Sequence, residues 1–255
     1  MLIAFAFVLS VIVVQITPLY VGACLALLLL VGSMLATHDY KIIWLTSFVY
    51  VVGYWLSFYL KYYILALFVG SSEAEIVLSR LSLLGFIIPY FLLWKWYKPH
   101  TNYLFIGNFS NTIRTPFIWR GIQDPIWRFL LIATTIILIS FSFIIDYGQE
   151  EFYRILLFGC LFALVNAVLE EIVWRGLILP RFVDFAGEKL GLVIASVGFG
   201  FYHYSIGFPW AICALFSLFG MLMGGVAIRS QGLLPVTILH FIMNVCFAMI
   251  GVIFK

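Results

Sequence analysis

The sequence predicts an all-α fold, a polytopic transmembrane helix bundle of about eight to nine spans, with a candidate active site on the last four helices. Three observations carry this expectation. Apolar residues make up 65% of the 255 residues and charged residues 10%, with a mean hydropathy of +1.15. A water-soluble globule of this size could not cover that much apolar surface, so the bilayer is the solvent that fits. Runs long enough to span follow one another without soluble-length linkers. The few ionisable side chains inside those runs concentrate after residue 150.

In chain order, segments 2–16 and 18–36 are divided at Thr17-Pro18, because proline breaks or kinks a helix. The first positive charge is Lys41, so the N-terminal run reads as permanent membrane helix rather than a secretory signal. A long run at 41–69 carries Lys61 and is followed by 76–94. A polar stretch from 95 to 125 precedes 126–146. The last four runs are 152–179, 190–206, 209–228 and 233–254. No internal repeat or low-complexity tract interrupts the chain. It reads as one integral membrane domain, with N-terminal helices and a loop in 1–150 and a helix core in 151–255.

Lysine and arginine in short loops set orientation. Lys95, Lys98, Arg114, Arg120 and Arg128 fall in or beside the largest loop, Arg181 and Lys189 in another, and Arg229 in a third. Alternating crossings put these on one side with Lys41, and that side is assigned to the cytoplasm. Glu73, Glu75, Asp146, Glu150 and Glu151 fall on the other. The 101–125 loop mixes Tyr103, Phe105, Phe109, Arg114, Phe117, Trp119 and Arg120, which suits an interfacial segment or a gating element. Net charge is only +3 and no basic stripe follows a polar face, so a nucleic-acid partner is not expected. Cys24, Cys160, Cys213 and Cys246 lie in apolar runs without a CxxC pair and read as small buried hydrophobes.

A charge deep in a span costs about 2.5–3.5 kcal/mol on insertion scales, so each one needs a reason. Before residue 150 the mid-span polar residues are Gln15 and Lys61. After it come Asn166, Glu170, Glu171, Arg175, His203, His240 and Asn244. Glu171 and Arg175 are four apart on one helical face, acid before base, which favours an ion pair. Glu170 lies about 100° around the helix and is left to face elsewhere. Phe199 sits one turn from His203 and is placed to pack on its ring. His240 and Asn244 share a face at i, i+4 and can aim two donors at one point, which a developing oxyanion requires. Each group taken alone also reads as structural: a charge cluster at a helix end, a core histidine, an interhelical polar contact.

Taken together, these residues form EExxxR (Glu170, Glu171, Arg175), FxxxH (Phe199, His203) and HxxxN (His240, Asn244) on successive spans. In this the chain resembles the CPBP family of intramembrane proteases, which includes type II CAAX prenyl proteases and bacteriocin-processing and immunity proteins. The resemblance covers roughly residues 150–250. It implies a metal-independent glutamic endopeptidase without a cofactor, embedded in a bacterial cytoplasmic membrane. The substrates it implies are membrane-associated or lipidated proteins or peptides. Glu170 and His203 would activate a water, His240 and Asn244 would stabilise the oxyanion, and Glu171 with Arg175 would hold the helix and set the field.

Three other readings use the same residues. Glu170, His203 and His240 are a ligand set of the kind found in catalytic zinc sites, although no HExxH is present. A membrane scaffold or bacteriocin-immunity protein would not need the site. A transporter would relay protons through it, but the repeat that many transporters show is missing. Substrate identity and oligomeric state are not written in the sequence. One tension is internal to it: with these boundaries Glu170 sits 18 residues into its span and His203 13 into its own, several ångströms apart in height.

Overall fold

The computed structural model describes residues 2–68, 72–116 and 118–254. It is an all-α bundle, 79% helical. Phe117, counted above with the aromatic loop, lies outside the described residues. The helices are α1 (Leu2–Ile16), α2 (Leu19–Leu35), α3 (His38–Tyr59), α4 (Ser72–Ser79), α5 (Leu84–Trp96), α6 (Ile126–Ser142), α7 (Phe152–Glu171), α8 (Leu179–Tyr202), α9 (Trp210–Ser230) and α10 (Leu234–Met249). Proline punctuates them. Pro18, Pro125 and Pro209 directly precede α2, α6 and α9, and Pro235 lies in the first turn of α10. These are positions where a missing N–H leaves no helical hydrogen bond unmade.

Four helical stretches are long and apolar enough to cross a membrane: Tyr40–Phe68, Ser72–Trp96, Phe152–Ile206 and Trp210–Ser230. Shorter apolar helices accompany them. Large apolar side chains cover the outside, with Leu35 82% and Phe143 85% exposed. Together these make an integral membrane protein, since only lipid tolerates such a surface around helices that satisfy their own backbone.

The Phe152–Ile206 stretch is not one rod. At Gly187 the backbone takes φ 78°, ψ 166°, a conformation that costs a side-chain-bearing residue dearly. The chain reverses there: a Cβ on Gly191 would lie 2.6 Å from the Phe182 carbonyl. Residues equidistant from the turn face each other, as Trp174 and Phe199 do at 5.7 Å between ring centres. This corrects the expectation of a loop at 180–189. Residues 179–186 are helical, and Arg181 is 1% exposed, donating to the Tyr97 carbonyl at 3.1 Å. The correction also removes the height tension. Glu170 lies seventeen residues before Gly187 and His203 sixteen after it, so at ~1.5 Å per residue the two stand about level.

The 95–125 stretch contains a two-stranded antiparallel hairpin, β1 (Thr112–Pro116) on β2 (Gly121–Pro125). Ile113, 1% exposed, anchors it in a core with Ile126, Met223 and Val226. The preceding loop is stapled to the α9–α10 turn: Asn108 N–H donates to the Ser230 carbonyl (2.8 Å) and Leu233 N–H to the Phe105 carbonyl (2.8 Å). The loop charges sort by end. Lys41 sits over Tyr97, Lys189 over Trp119, and Arg229 bonds the Thr112 carbonyl. Glu73, Glu151 and Arg154 form a separate ion-pair group.

Candidate active site

The site begins where α7 ends. Glu170 and Glu171 close that helix, and a π-helical turn, Ile172–Ile178, follows. Such wide turns recur at functional positions because they re-aim side chains without breaking the rod. Within this turn Arg175 Nη1 donates to Glu171 Oε1 at 2.9 Å, and its guanidinium lies 4.2 Å from the Phe199 ring centre. Arg175 Nη2 reaches the Gly220 carbonyl of α9 at 3.4 Å. Trp174 fills the space behind, ringed by Phe7, Tyr50, Phe199 and Tyr202. Motif-free helices α1 and α3 therefore back the motif helix directly.

Glu171 Oε1 has a second partner. His240 Nδ1 lies 2.7 Å from it. A carboxylate only accepts, so Nδ1 carries the hydrogen, and Nε2 is the ring nitrogen left for other work. That Nε2 is 3.7 Å from Glu170 Oε2, too long for a hydrogen bond but close enough for charge to matter. Thus Glu171 joins two cations-in-waiting from two helices, while Glu170 remains without a partner for Oε2.

His203 begins a short 3₁₀ turn, His203–Ile206, at the end of α8. Its Nδ1 lies 2.8 Å from the Phe199 carbonyl, which can only accept. The hydrogen is again on Nδ1 and the Nε2 lone pair is free. The imidazole is clamped between the edge of Phe199 (4.8 Å between centres) and the face of Phe216 (4.1 Å, 18° between planes). That clamp depends on α8 and α9 touching. A Cβ on Gly200 would lie 2.0 Å from Ser217 Oγ and 2.4 Å from the Cys213 carbonyl, so glycine is required for the backbones to come this close.

One cavity of about 150 Å³ is lined by Glu170, His203, His240 and Asn244, together with Asn166 and Arg80. Asn166, Glu170, His203, His240 and Asn244 are each at most 7% exposed. Glu171 and Arg175 stand behind the wall. Four polar atoms buried among the lining residues have no protein partner: Glu170 Oε2, Asn244 Nδ2, Asn166 Oδ1 and Arg80 Nε. They are two acceptors and two donors. Among the described residues no group of three or more His, Cys, Asp or Glu side chains is close enough to hold a metal ion, the Glu170, His203 and His240 set included.

All six residues singled out in the sequence thus meet at one place. Asn166 also belongs there. It lies one turn before Glu170 on the same face, a spacing that could have assigned it. Arg80 and Phe216 carry no such signal, since their arrival depends on how the 3₁₀ turn before α5 and helix α9 pack.

Comparison with known proteins gives one match. Residues 152–246 match the family model described as Rce1-like, type II CAAX prenyl endopeptidase. Neither curated proteins nor solved structures give a match. The matched segment contains all six residues, and the match is to a family of membrane proteases.

Proposed function

We propose that this chain is an intramembrane endopeptidase that hydrolyses membrane-associated or lipidated protein substrates with a water activated by Glu170 and His203. The observation that carries the proposal is the single cavity lined by a free carboxylate, a histidine with a free Nε2, and two further nitrogen groups on α10. Residues 151–255 act as the catalytic core and 1–150 as its support.

The reaction runs as follows. A water between Glu170 and His203 gives a hydrogen bond to His203 Nε2 and its other proton to Glu170, the general base. The hydroxide adds to the scissile carbonyl carbon. The resulting oxyanion takes hydrogen bonds from Asn244 Nδ2 and His240 Nε2. His240 can donate there only as an imidazolium, because its Nδ1 hydrogen is held by Glu171. Glu170 then returns its proton to the departing nitrogen, the C–N bond breaks, and a carboxylic acid and an amine leave. Glu171 and Arg175 are positioning residues. They touch no reacting atom but fix the height and tautomer of His240.

The family match supports prenylated CAAX-type proteins as the substrate class. The test is to purify wild type and Glu170→Gln in detergent and incubate each with a farnesylated peptide and with its unlipidated twin. Cleavage by wild type alone, read by mass spectrometry, supports the proposal. Identical profiles from both proteins overturn it.

A further inference from the structure

A cavity of about 840 Å³ opens where α3 begins, α5 ends and the first arm of α8 approaches its turn at Gly187. Its described lining shares no residue with the cavity around Glu170. Arg181, in its wall, follows Glu170 by eleven residues, about 16 Å along a helix. Ile42, Phe185 and Leu190 give this cavity an apolar wall, and Lys98 and Arg181 give it a basic one.

Arg181 is the buried member of that basic wall, with its side chain 1% exposed. Its Nη1 donates to the Tyr97 carbonyl at 3.1 Å, but Nε and Nη2 are buried with no protein acceptor. A guanidinium keeps its charge, and a buried charge calls for a counter-charge. The one described carboxylate in the wall, Asp184, is engaged elsewhere. Its Oδ2 accepts the His100 N–H at 2.6 Å and its Oδ1 the Thr101 N–H at 3.0 Å. No ion pair joins it to Arg181 among the described residues. Asp184 instead pins the loop after α5 into a rim, and the exposed Lys98 stands on that rim. Lys41 lies alongside, 5.7 Å from the Tyr97 ring centre. Three cations thus gather around one described carboxylate.

The aromatic residues set the depth of the site. Trp96, which closes α5, is 72% exposed, and Tyr40, near the start of α3, is 42% exposed. Tyrosine and tryptophan on the outside of spans mark the headgroup layer. Basic pockets between helices at that level suit phosphate-bearing head groups. We propose that this cavity binds the phosphate head group of an anionic phospholipid. The phosphate settles over Arg181 with Lys98 at the rim, and the acyl chains leave along Ile42, Phe185 and Leu190. Arginine suits this because its planar fork matches two phosphate oxygens. The apolar wall favours a lipid over free phosphate, and the cations favour an anionic lipid over a neutral one. The site stands whether or not the Glu170 cavity hydrolyses peptides.

The experiment titrates acyl-labelled phosphatidylglycerol into the full chain in neutral detergent, with phosphatidylcholine of the same chains as the comparison. Wild type is expected to bind phosphatidylglycerol about tenfold tighter than phosphatidylcholine. Arg181→Gln should raise the Kd for phosphatidylglycerol about tenfold and Lys98→Gln about fivefold. Arg114→Gln, on the hairpin outside the cavity, should leave it unchanged. Lys98 is exposed, so its variant keeps the test decisive where Arg181→Gln does not fold. Equal binding of the two lipids overturns the proposal. So does a loss no larger in Lys98→Gln than in Arg114→Gln, which would make the attraction one of general surface charge. Inorganic phosphate that displaces the lipid at equal concentration would make the ligand a free phosphate, and the phospholipid assignment falls.

Discussion

In the candidate site buried charge is paired within the protein: Arg175 and His240 converge on one oxygen of Glu171. The half-buried Lys61 and Arg80, before residue 150, stand instead in a polar cavity with no carboxylate in its walls. The two halves also differ in how they hold position. The C-terminal half fixes its polar groups by hydrogen bonds among themselves. The N-terminal half contributes apolar mass, with Phe7 and Tyr50 against Trp174, and a few single polar reaches. The contrast separates a centre whose charged groups face one another from a flank whose cations meet no acid.

Four changes break or sharpen that contrast. Glu170→Gln removes the unpaired carboxylate without altering shape. Peptide hydrolysis is expected to fall by about 10²–10⁴-fold, measured by mass spectrometry at equal folded protein. Glu171→Gln strikes the paired centre and leaves Arg175 buried without its partner. The expected loss is about 3–5 kcal/mol, read from thermal unfolding in detergent. The double variant with Arg175→Met should recover much of that loss, and strictly additive losses would show that the pair is not coupled. Asn244→Ala deletes one oxyanion donor, so kcat should drop by about 10²–10³-fold with KM little changed. An equal rise in KM would move Asn244 from transition-state to ground-state binding.

The smallest effect tests the N-terminal half. Gln15 of α1 accepts the Ser205 N–H at 2.7 Å and donates to the Phe201 carbonyl at 3.2 Å. It thereby grips the turn that begins at His203. Gln15→Leu should lower kcat about five- to tenfold with KM nearly constant. Gln15→Glu keeps the acceptor for Ser205 and should restore part of the loss. Equal activity in both variants would show that this grip does not position His203.

Much of this was legible in the sequence for one reason: charge inside a span is costly, so Glu170, Glu171, Arg175 and His203 stood out before any fold was known. The Glu171–Arg175 pair and the Phe199–His203 contact follow from helical spacing and are present. What was not legible depends on tertiary placement. Arg181 and Lys189 read as sharing a loop, yet Pro180 begins a helical turn and Arg181 is buried against Tyr97. The hairpin at Thr112–Pro116 and Gly121–Pro125 has too few alternating apolar residues to announce strands. His240 and Asn244 are placed by spacing to aim two donors at one point, and only packing reveals that Glu171 holds Nδ1 of His240. Gln15 and Lys61 were visible as odd residues, but nothing local says what they face.

The reversal at Gly187 turns the stretch from Glu170 to His203 into a pair of calipers whose jaws close on one cavity. One residue inserted into either arm would displace its jaw by about 1.5 Å and swing it through about 100°, carrying the carboxylate or the imidazole out of the cavity. Substitutions along the arms, apart from Glu171 and Arg175, change their packing and not their reach. Length, more than identity, is thus what this stretch cannot vary. The hinge is the exception. Residues added at the tip beside Gly187 lengthen neither arm, so the calipers can acquire a new handle there without losing their gauge.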